Sequence, residues 1–336
     1  MSEAKFYNAL NVYYKGDYGE LKKCWDQFQN WEKGWSVKKA NFDVEKEWQK
    51  LKDQKISLIL KEDESYPKLL REISFPSFGL YLLGNFQYSQ PAVAIVGTRS
   101  ATPQGKELAR QFASALSQAG LTVISGLALG IDAAAHQGAL DGGGKTIAVL
   151  GTPLNHIYPR QNERLAKEIL KNGGAIISEF PFNQEYHPQN FLIRNRIISG
   201  LSNAILIIEA PERSGALATA KFALEQNREV LAVPGNITAQ NYKGSNALIK
   251  AGATPVTSPE DILDYFQIEK PASPKTELET DSSDNPIIKV LKKKGELTLE
   301  QIFNESLLEI SELNKNLGAL VIKGIIKESN GKYYLL

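Results

Sequence analysis

The chain has 336 residues, a formal net charge of +1, one cysteine and three histidines. That length exceeds the usual single domain, so two or three domains are expected. Cys24 alone excludes an internal disulfide and a cysteine-rich zinc site, and His136, His156 and His187 stand in separate segments, so no metal centre is expected. No GxGxxG is present, and no cofactor is expected; a chain so nearly neutral must meet any polyanion through a local basic cluster.

In chain order, residues 1–88 are aromatic and charged, with helical periodicity as far as the run ISLIL. The first twenty residues lack the basic-then-apolar pattern of a signal peptide, and no run of about 18 apolar residues occurs, so a cytoplasmic protein without membrane contact is expected. From Val93 to Phe266, short apolar runs (VAIVG, TVISG, TIAVLG, AIISEF, AILIIEA, EVLAVPG) alternate with helix-period segments. Strands covered on both faces need continuous apolar runs, so residues 89–268 are expected to form an α/β, Rossmann-like doubly wound parallel sheet behind a helical N-terminal region. Ligands of such sheets lie at the carboxyl ends of strands, here rich in Gly, Ser, Thr and Arg. Residues 269–285 are polar and proline-rich and read as a linker. Residues 286–336 give three helical patterns and a two-stranded ending turned at Asn330-Gly331, the order of a small winged-helix domain.

ALDGGGKT, at residues 139–146, imitates a phosphate-binding P-loop. A true P-loop runs strand, turn, helix, so that backbone N–H groups and a helix N-terminus face the phosphates. Here a helical pattern precedes the glycines and a strand pattern follows, so Gly142, Gly143 and Gly144 read as a helix cap and turn, with no nucleotide implied.

AVAIVGTRSATPQGKELA carries a clearer signal. A buried strand ends at Gly97, Thr98 and Arg99 follow, and Thr102 and Pro103 are suited to cap and start a helix. Free N–H groups and a guanidinium are therefore expected to converge there as an anion site. In HPQNFLIRNRIISGLS, Phe191 and Asn195 share a helix face, whereas Arg194 and Arg196 diverge by about 200°. One is expected to meet a ligand and the other to pair with an acid such as Glu179 or Glu209. Tyr158-Pro159-Arg160 adds a further arginine, and arginines interleaved with aromatics suit a groove that tracks single-stranded nucleic acid. Asp132 and His136, at i and i+4, read as a hydrogen-bonded pair fixing their helix, and Ser214 and Gly215 as an N-cap or phosphate contact.

Taken in order, GTRSAT, SGLALGIDAAAH, GGGKTIAVLGTPLNHIYPRQN, SEFPF, HPQNFLIRNRIISGLSNAILIIEA, RSGALATAKFALEQNREVLAVPGN and GSNALIKAGATPV closely resemble the DNA-processing protein A family, DprA or Smf, over about residues 57–266. The resemblance implies a non-catalytic protein that binds and protects single-stranded DNA, dimerises, and helps load the RecA recombinase in natural transformation. It implies DNA contacts at Gly97, Thr98 and Arg99, at Arg160, and at Arg194, Asn195 and Arg196; Ser100, Gly126, Phe191, Ser214 and Gly215 complete the expected single-stranded DNA contacts. It also marks a departure: members commonly carry a basic residue where Leu129 stands. The competing readings are a Rossmann-like nucleotide N-glycosidase, whose paired glycines SGALATAKFALE lacks, and a transcription regulator acting through the C-terminal domain.

Overall fold

The computed structural model describes residues 3–38, 42–86, 91–268, 285–306, 308–322, 325–329 and 331–335. The chain divides into two units, 1–270 and 271–336. Four helices open the first unit: α1 (Glu3–Tyr13), α2 (Tyr18–Phe28), α3 (Trp31–Ser36) and α4 (Val44–Asp53). Strand β1 (Ser57–Leu60), helix α5 (Lys68–Arg71) and strand β2 (Gly79–Gly84) follow. The alternating part runs β3 (Ala92–Val96), α6 (Pro103–Gln118), β4 (Thr122–Ser125), α7 (Ile131–Asp141), β5 (Thr146–Leu150), α8 (Glu163–Lys171), β6 (Ala175–Ser178), α9 (Pro188–Gly200), β7 (Ala204–Ile207), α10 (Gly215–Glu225), β8 (Glu229–Ala232), α11 (Lys243–Lys250), β9 (Thr254–Pro255) and α12 (Pro259–Tyr265).

All six apolar runs became strands, and the class is as expected. Among the described residues the sheet order is β1-β2-β6-β5-β4-β3-β7-β8-β9, parallel from β6 to β9. The chain winds outward from β3 through β4, β5 and β6, then returns to the other side of β3 with β7. The reversal between β3 and β7 is the topological switch point, where such sheets open a crevice at their carboxyl edge. The period-2 alternation within β3 shows why both faces must be covered. Val93 and Ile95 pack with Phe112, Leu116 and Ala135 of α6 and α7, while Ala94 and Val96 pack with Ile197, Ile198 and Ala220 of α9 and α10.

The expected division at residue 88 does not match the sheet. β2 pairs antiparallel with β6, and β1 with β2, so residues 57–84 extend the same sheet by two strands. Within residues 1–88, the described helices α1–α4 form the helical layer expected there, in one aromatic core with Tyr81, Leu150 and Ile176.

ALDGGGKT takes the expected form. α7 is capped at Gly142, whose N–H donates to the carbonyl of Gly138, and β5 starts at Thr146. The order is helix, turn, strand, the reverse of a P-loop.

The second unit contains α13 (Pro286–Lys294), β10 (Leu297–Thr298), α14 (Leu299–Ser306), α15 (Ile310–Ile322), β11 (Ile326–Ser329) and β12 (Lys332–Leu335) around a small core of Ile287, Leu291, Ile302, Leu313 and Ile326. The two-stranded ending is a three-stranded sheet of order β10-β12-β11, because Leu297 and Thr298 add a short strand against Tyr333 and Lys332. The expected linker lies outside the described residues except for Asn285, which caps α13, and Asn330 of the expected turn also lies outside them.

Candidate functional site

Two helices begin at the switch point, α6 after β3 and α10 after β7. The α6 start has the expected cap: Thr102 Oγ1 accepts from Gly105 N–H at 2.9 Å, and Pro103 occupies the first turn. It is not an open anion site. The fully buried carboxylate of Glu209, at the end of β7, accepts from Thr102 N–H at 2.9 Å, from Thr102 Oγ1 at 2.5 Å and from Asn241 Nδ2 at 3.0 Å. A Cβ on Gly105 would fall 2.4–2.7 Å from that carboxylate. The protein's own anion therefore sits where an external one was expected, which corrects that assignment.

The α10 start is open. Ser214 caps it, accepting from Ala216 N–H at 3.2 Å, and a Cβ built on Gly215 meets nothing within 4 Å. Before it lies a cleft of about 280 Å³. One wall is the loop after β3, with Gly97, Thr98 and Arg99; a second is Arg213, Ser214, Gly215 and Thr219; the third is α9. From α9 come Leu192 and, at the i, i+3, i+4, i+7 positions of one helical face, Phe191, Arg194, Asn195 and Ile198. A smaller recess of about 50 Å³ adjoins the cleft through Arg99, Ala128, Phe191 and Arg194, and adds Gly126, Leu129, Tyr158 and Pro159.

Arg194 forms the buried floor. Its guanidinium donates to the carbonyl of Gly126 at 2.8 Å, to that of Val149, and through Nε to Asn195 Oδ1 at 3.1 Å. Burial lowers its pKa to about 10, against the opposing pull of Asp132, so it stays cationic at neutral pH. Asn195 in turn donates to the Gly215 carbonyl at 3.3 Å, tying α9 to the α10 start. Asp132 is buried beside this floor, its carboxyl raised by burial while Arg194 and the amides of Ala128 and Gly126 pull it down.

The expected Asp132–His136 pair does not form. Asp132 Oδ2 accepts from Gly126 N–H at 3.1 Å, while His136 Nδ1 lies 2.8 Å from Thr146 Oγ1 on β5. His136 is fully buried and pushed down to about 3, first by burial and then by Arg194, so it is a neutral packing element. Each residue is drawn to a nearer backbone or strand partner than its neighbour one turn away.

Aromatic rings continue from the cleft. The Arg99 guanidinium lies 5.6 Å from the centre of the Phe191 ring, Phe191 is 5.2 Å from Tyr158, Tyr158 is 5.6 Å from Tyr186, and Tyr186 is 4.9 Å from His156. Arg99 and Tyr158 are exposed and Phe191 is half-buried, so the strip has cationic and aromatic surface to offer a ligand.

The structure thus brings together Gly97, Thr98, Arg99, Gly126, Phe191, Arg194, Asn195, Ser214 and Gly215. Ser100 stands just outside the lining, its carbonyl accepting from Asn241. Arg160 is exposed at the turn before α8 and also lies outside the lining. Arg196 is set apart: it faces away from the cleft and forms a two-pronged pair with Glu179, at 2.8 and 2.6 Å, both side chains being about nine-tenths buried or more. Burial works against its charge, and Glu179 more than offsets this, holding the guanidinium above its usual pKa. Its ring contact is Tyr18 of α2, at 5.8 Å, so Arg196 joins α9 to the N-terminal layer.

Arg213 and Tyr186 belong to the site and were not singled out from sequence. Arg213 precedes a readable cap, which was signal enough; Tyr186 lies in an irregular loop whose position no periodicity reveals. Chemically, three arginines and an open helix start favour an anion, and the ring strip favours flat bases. Asp132 is the only carboxylate lining the cleft and recess among the described residues, and no group of three His, Cys, Asp or Glu there could hold a metal ion.

Comparison with known proteins gives a consistent result. The family model described as DNA recombination-mediator protein A matches residues 57–267. The chain is 46% identical over 216 residues to Protein Smf of Escherichia coli, covering 62% of this chain and 56% of that relative, so it spans little more than half the relative's length. The X-ray structure of DNA processing protein A from Streptococcus pneumoniae is similar with a TM-score of 0.63 at 34% identity, over 80% of this chain and 94% of that one. A structure of DNA processing protein A from Helicobacter pylori, described for its single-stranded DNA binding mode, is similar with a TM-score of 0.57 at 29% identity, over 63% and 95%.

Proposed function

The chain belongs to the DNA recombination-mediator protein A family, and on that premise we propose that it holds single-stranded DNA in the switch-point cleft without cutting it. The carrying observation is the open start of α10, faced by Arg99, Arg194 and Arg213 and continued by the Phe191–Tyr158–Tyr186 strip. Phosphates suit the arginines and helix start, and bases suit the rings; duplex DNA, with its bases stacked away, gains only from the charges. Asp132, the one carboxylate lining the cleft and recess among the described residues, is bonded to backbone amides, which supports binding over glycosidic or phosphodiester cleavage. The single-stranded DNA binding described for the Helicobacter pylori relative agrees with this reading.

The finer parts of the proposal rest on the family. They are protection of incoming DNA, loading of the RecA recombinase during natural transformation and recombination, a homodimer, a cytoplasmic location, and an auxiliary winged-helix role for residues 286–336. No helix among the described residues is long and apolar enough to cross a membrane.

A gel shift comparing single- and double-stranded oligonucleotides at two salt concentrations, with and without ATP, tests the reading. Preference for the single strand, weakening with salt and indifference to ATP are expected. Preference for duplex, or dependence on ATP, would overturn it.

A further inference from the structure

We propose that the strand's path continues beyond the cleft, past Leu129, into a second groove that holds the phosphodiester backbone of the same DNA; this rests on the single-strand reading above. The groove, of about 760 Å³, lies between the first turns of α6, α7 and the turn into α8. Leu129 is a wall common to this groove and to the recess under Tyr158. Next to it, Gly130 has φ +81°, and a Cβ there would stand 2.3 Å from the Thr98 carbonyl and 2.7 Å from that of Arg99. The junction is therefore pressed directly on the loop that carries Arg99, and Leu129 is the side chain that stands between the two depressions.

The groove has a cationic rim suited to phosphates. Lys106, on the first turns of α6, is exposed and makes no ion pair among the described residues. Arg110 pairs with Asp141 at 2.6 Å and Arg164 with Glu168 at 3.0 Å, but these pairs are open to water, Arg164 being 92% exposed in its side chain. Such pairs hold weakly and yield to a phosphate without leaving a buried charge behind. Glu107 and Glu168 also line the groove, so its charge is graded rather than uniformly positive, which suits a backbone that slides more than one that locks. Arg160, which the cleft leaves out, is exposed one residue before Gln161 of the groove wall. A strand leaving the cleft on this side would pass Leu129 and meet Lys106 and Arg164 in turn.

The test is single-strand binding by the full-length protein, read by fluorescence anisotropy with an oligothymidylate of about 20 nucleotides across a salt series. The double variant Lys106→Ala/Arg164→Ala is compared with Lys167→Ala/Lys171→Ala, which removes equal charge from exposed positions of α8 outside the groove. The groove variant is expected to bind roughly three- to tenfold more weakly, and its log–log salt slope to flatten by about 1.4, at about 0.7 per lost phosphate contact. The control should keep the wild-type slope. An unchanged slope in the groove variant, or an equal change in both, would overturn the groove while leaving the cleft intact, provided that Arg99→Ala still weakens binding. Failure of the wild-type protein to bind the oligonucleotide would instead remove the single-strand reading itself.

Discussion

The starts of α6 and α10 look alike in sequence: each follows a buried strand, each has a hydroxyl cap, and each has a glycine within its first turn. They differ in what fills them. The α6 start is closed by Glu209, a carboxylate brought from more than a hundred residues away, whereas the α10 start opens on a cleft rimmed by Arg99 and Arg213. The same division recurs along α9. Arg196 is closed by Glu179, and Arg194, two residues earlier, faces the cleft. The proposed anion site and the structural ion pairs are thus built from the same parts, and the difference between them is whether a buried carboxylate arrives from elsewhere in the fold.

Substitutions on the closed side should cost stability, and those on the open side should cost binding. The largest effect is expected from Arg196→Ala, which strands Glu179 as an unpaired buried charge and should lower stability in urea unfolding by about 3–5 kcal/mol. A loss below 1 kcal/mol would place Arg196 among the ligand contacts after all. Glu209→Ala comes next. It leaves Thr102 N–H and Thr102 Oγ1 without their acceptor and Asn241 Nδ2 with the Ser100 carbonyl alone, and at roughly 1–3 kcal/mol per stranded donor a loss of about 3 kcal/mol is expected. The two glycines give the sharpest contrast. Gly105→Ala drives a methyl into the Glu209 carboxylate and should cost about 1–3 kcal/mol. Gly215→Ala enters open space and should change stability by no more than about 0.5 kcal/mol, in either direction. Equal losses for the two would mean that the starts of α6 and α10 are equally filled.

Much of this was legible in the sequence because burial on both faces writes itself as continuous apolar runs: β3 to β8 are each four or five residues long, with polar residues at their ends only. β2 escaped notice as a sheet strand because its partner, β6, lies some ninety residues on, and β10 because two residues carry no period. Angular spacing on α9 correctly separated Arg194 from Arg196, and Glu179 was among the acids expected to receive one of them. The anion at the α6 start could not be read locally. Thr102, Pro103 and Gly105 are the same whether their N–H groups face a phosphate or Glu209, and only the β3–β7 pairing brings Glu209 there. Likewise, Tyr186 joins the ring strip through a loop fold that no short-range rule specifies.

The central claim is that the open start of α10, with its arginine rim, is where phosphates bind. It is tested most directly by the salt dependence of single-stranded DNA binding in wild type, Arg99→Ala and Arg213→Ala, each checked for an unchanged unfolding midpoint. Each substitution is expected to weaken binding for all sequences alike and to flatten the log–log slope by about 0.7, one phosphate contact's worth. A wild-type slope and affinity in both variants would contradict the claim.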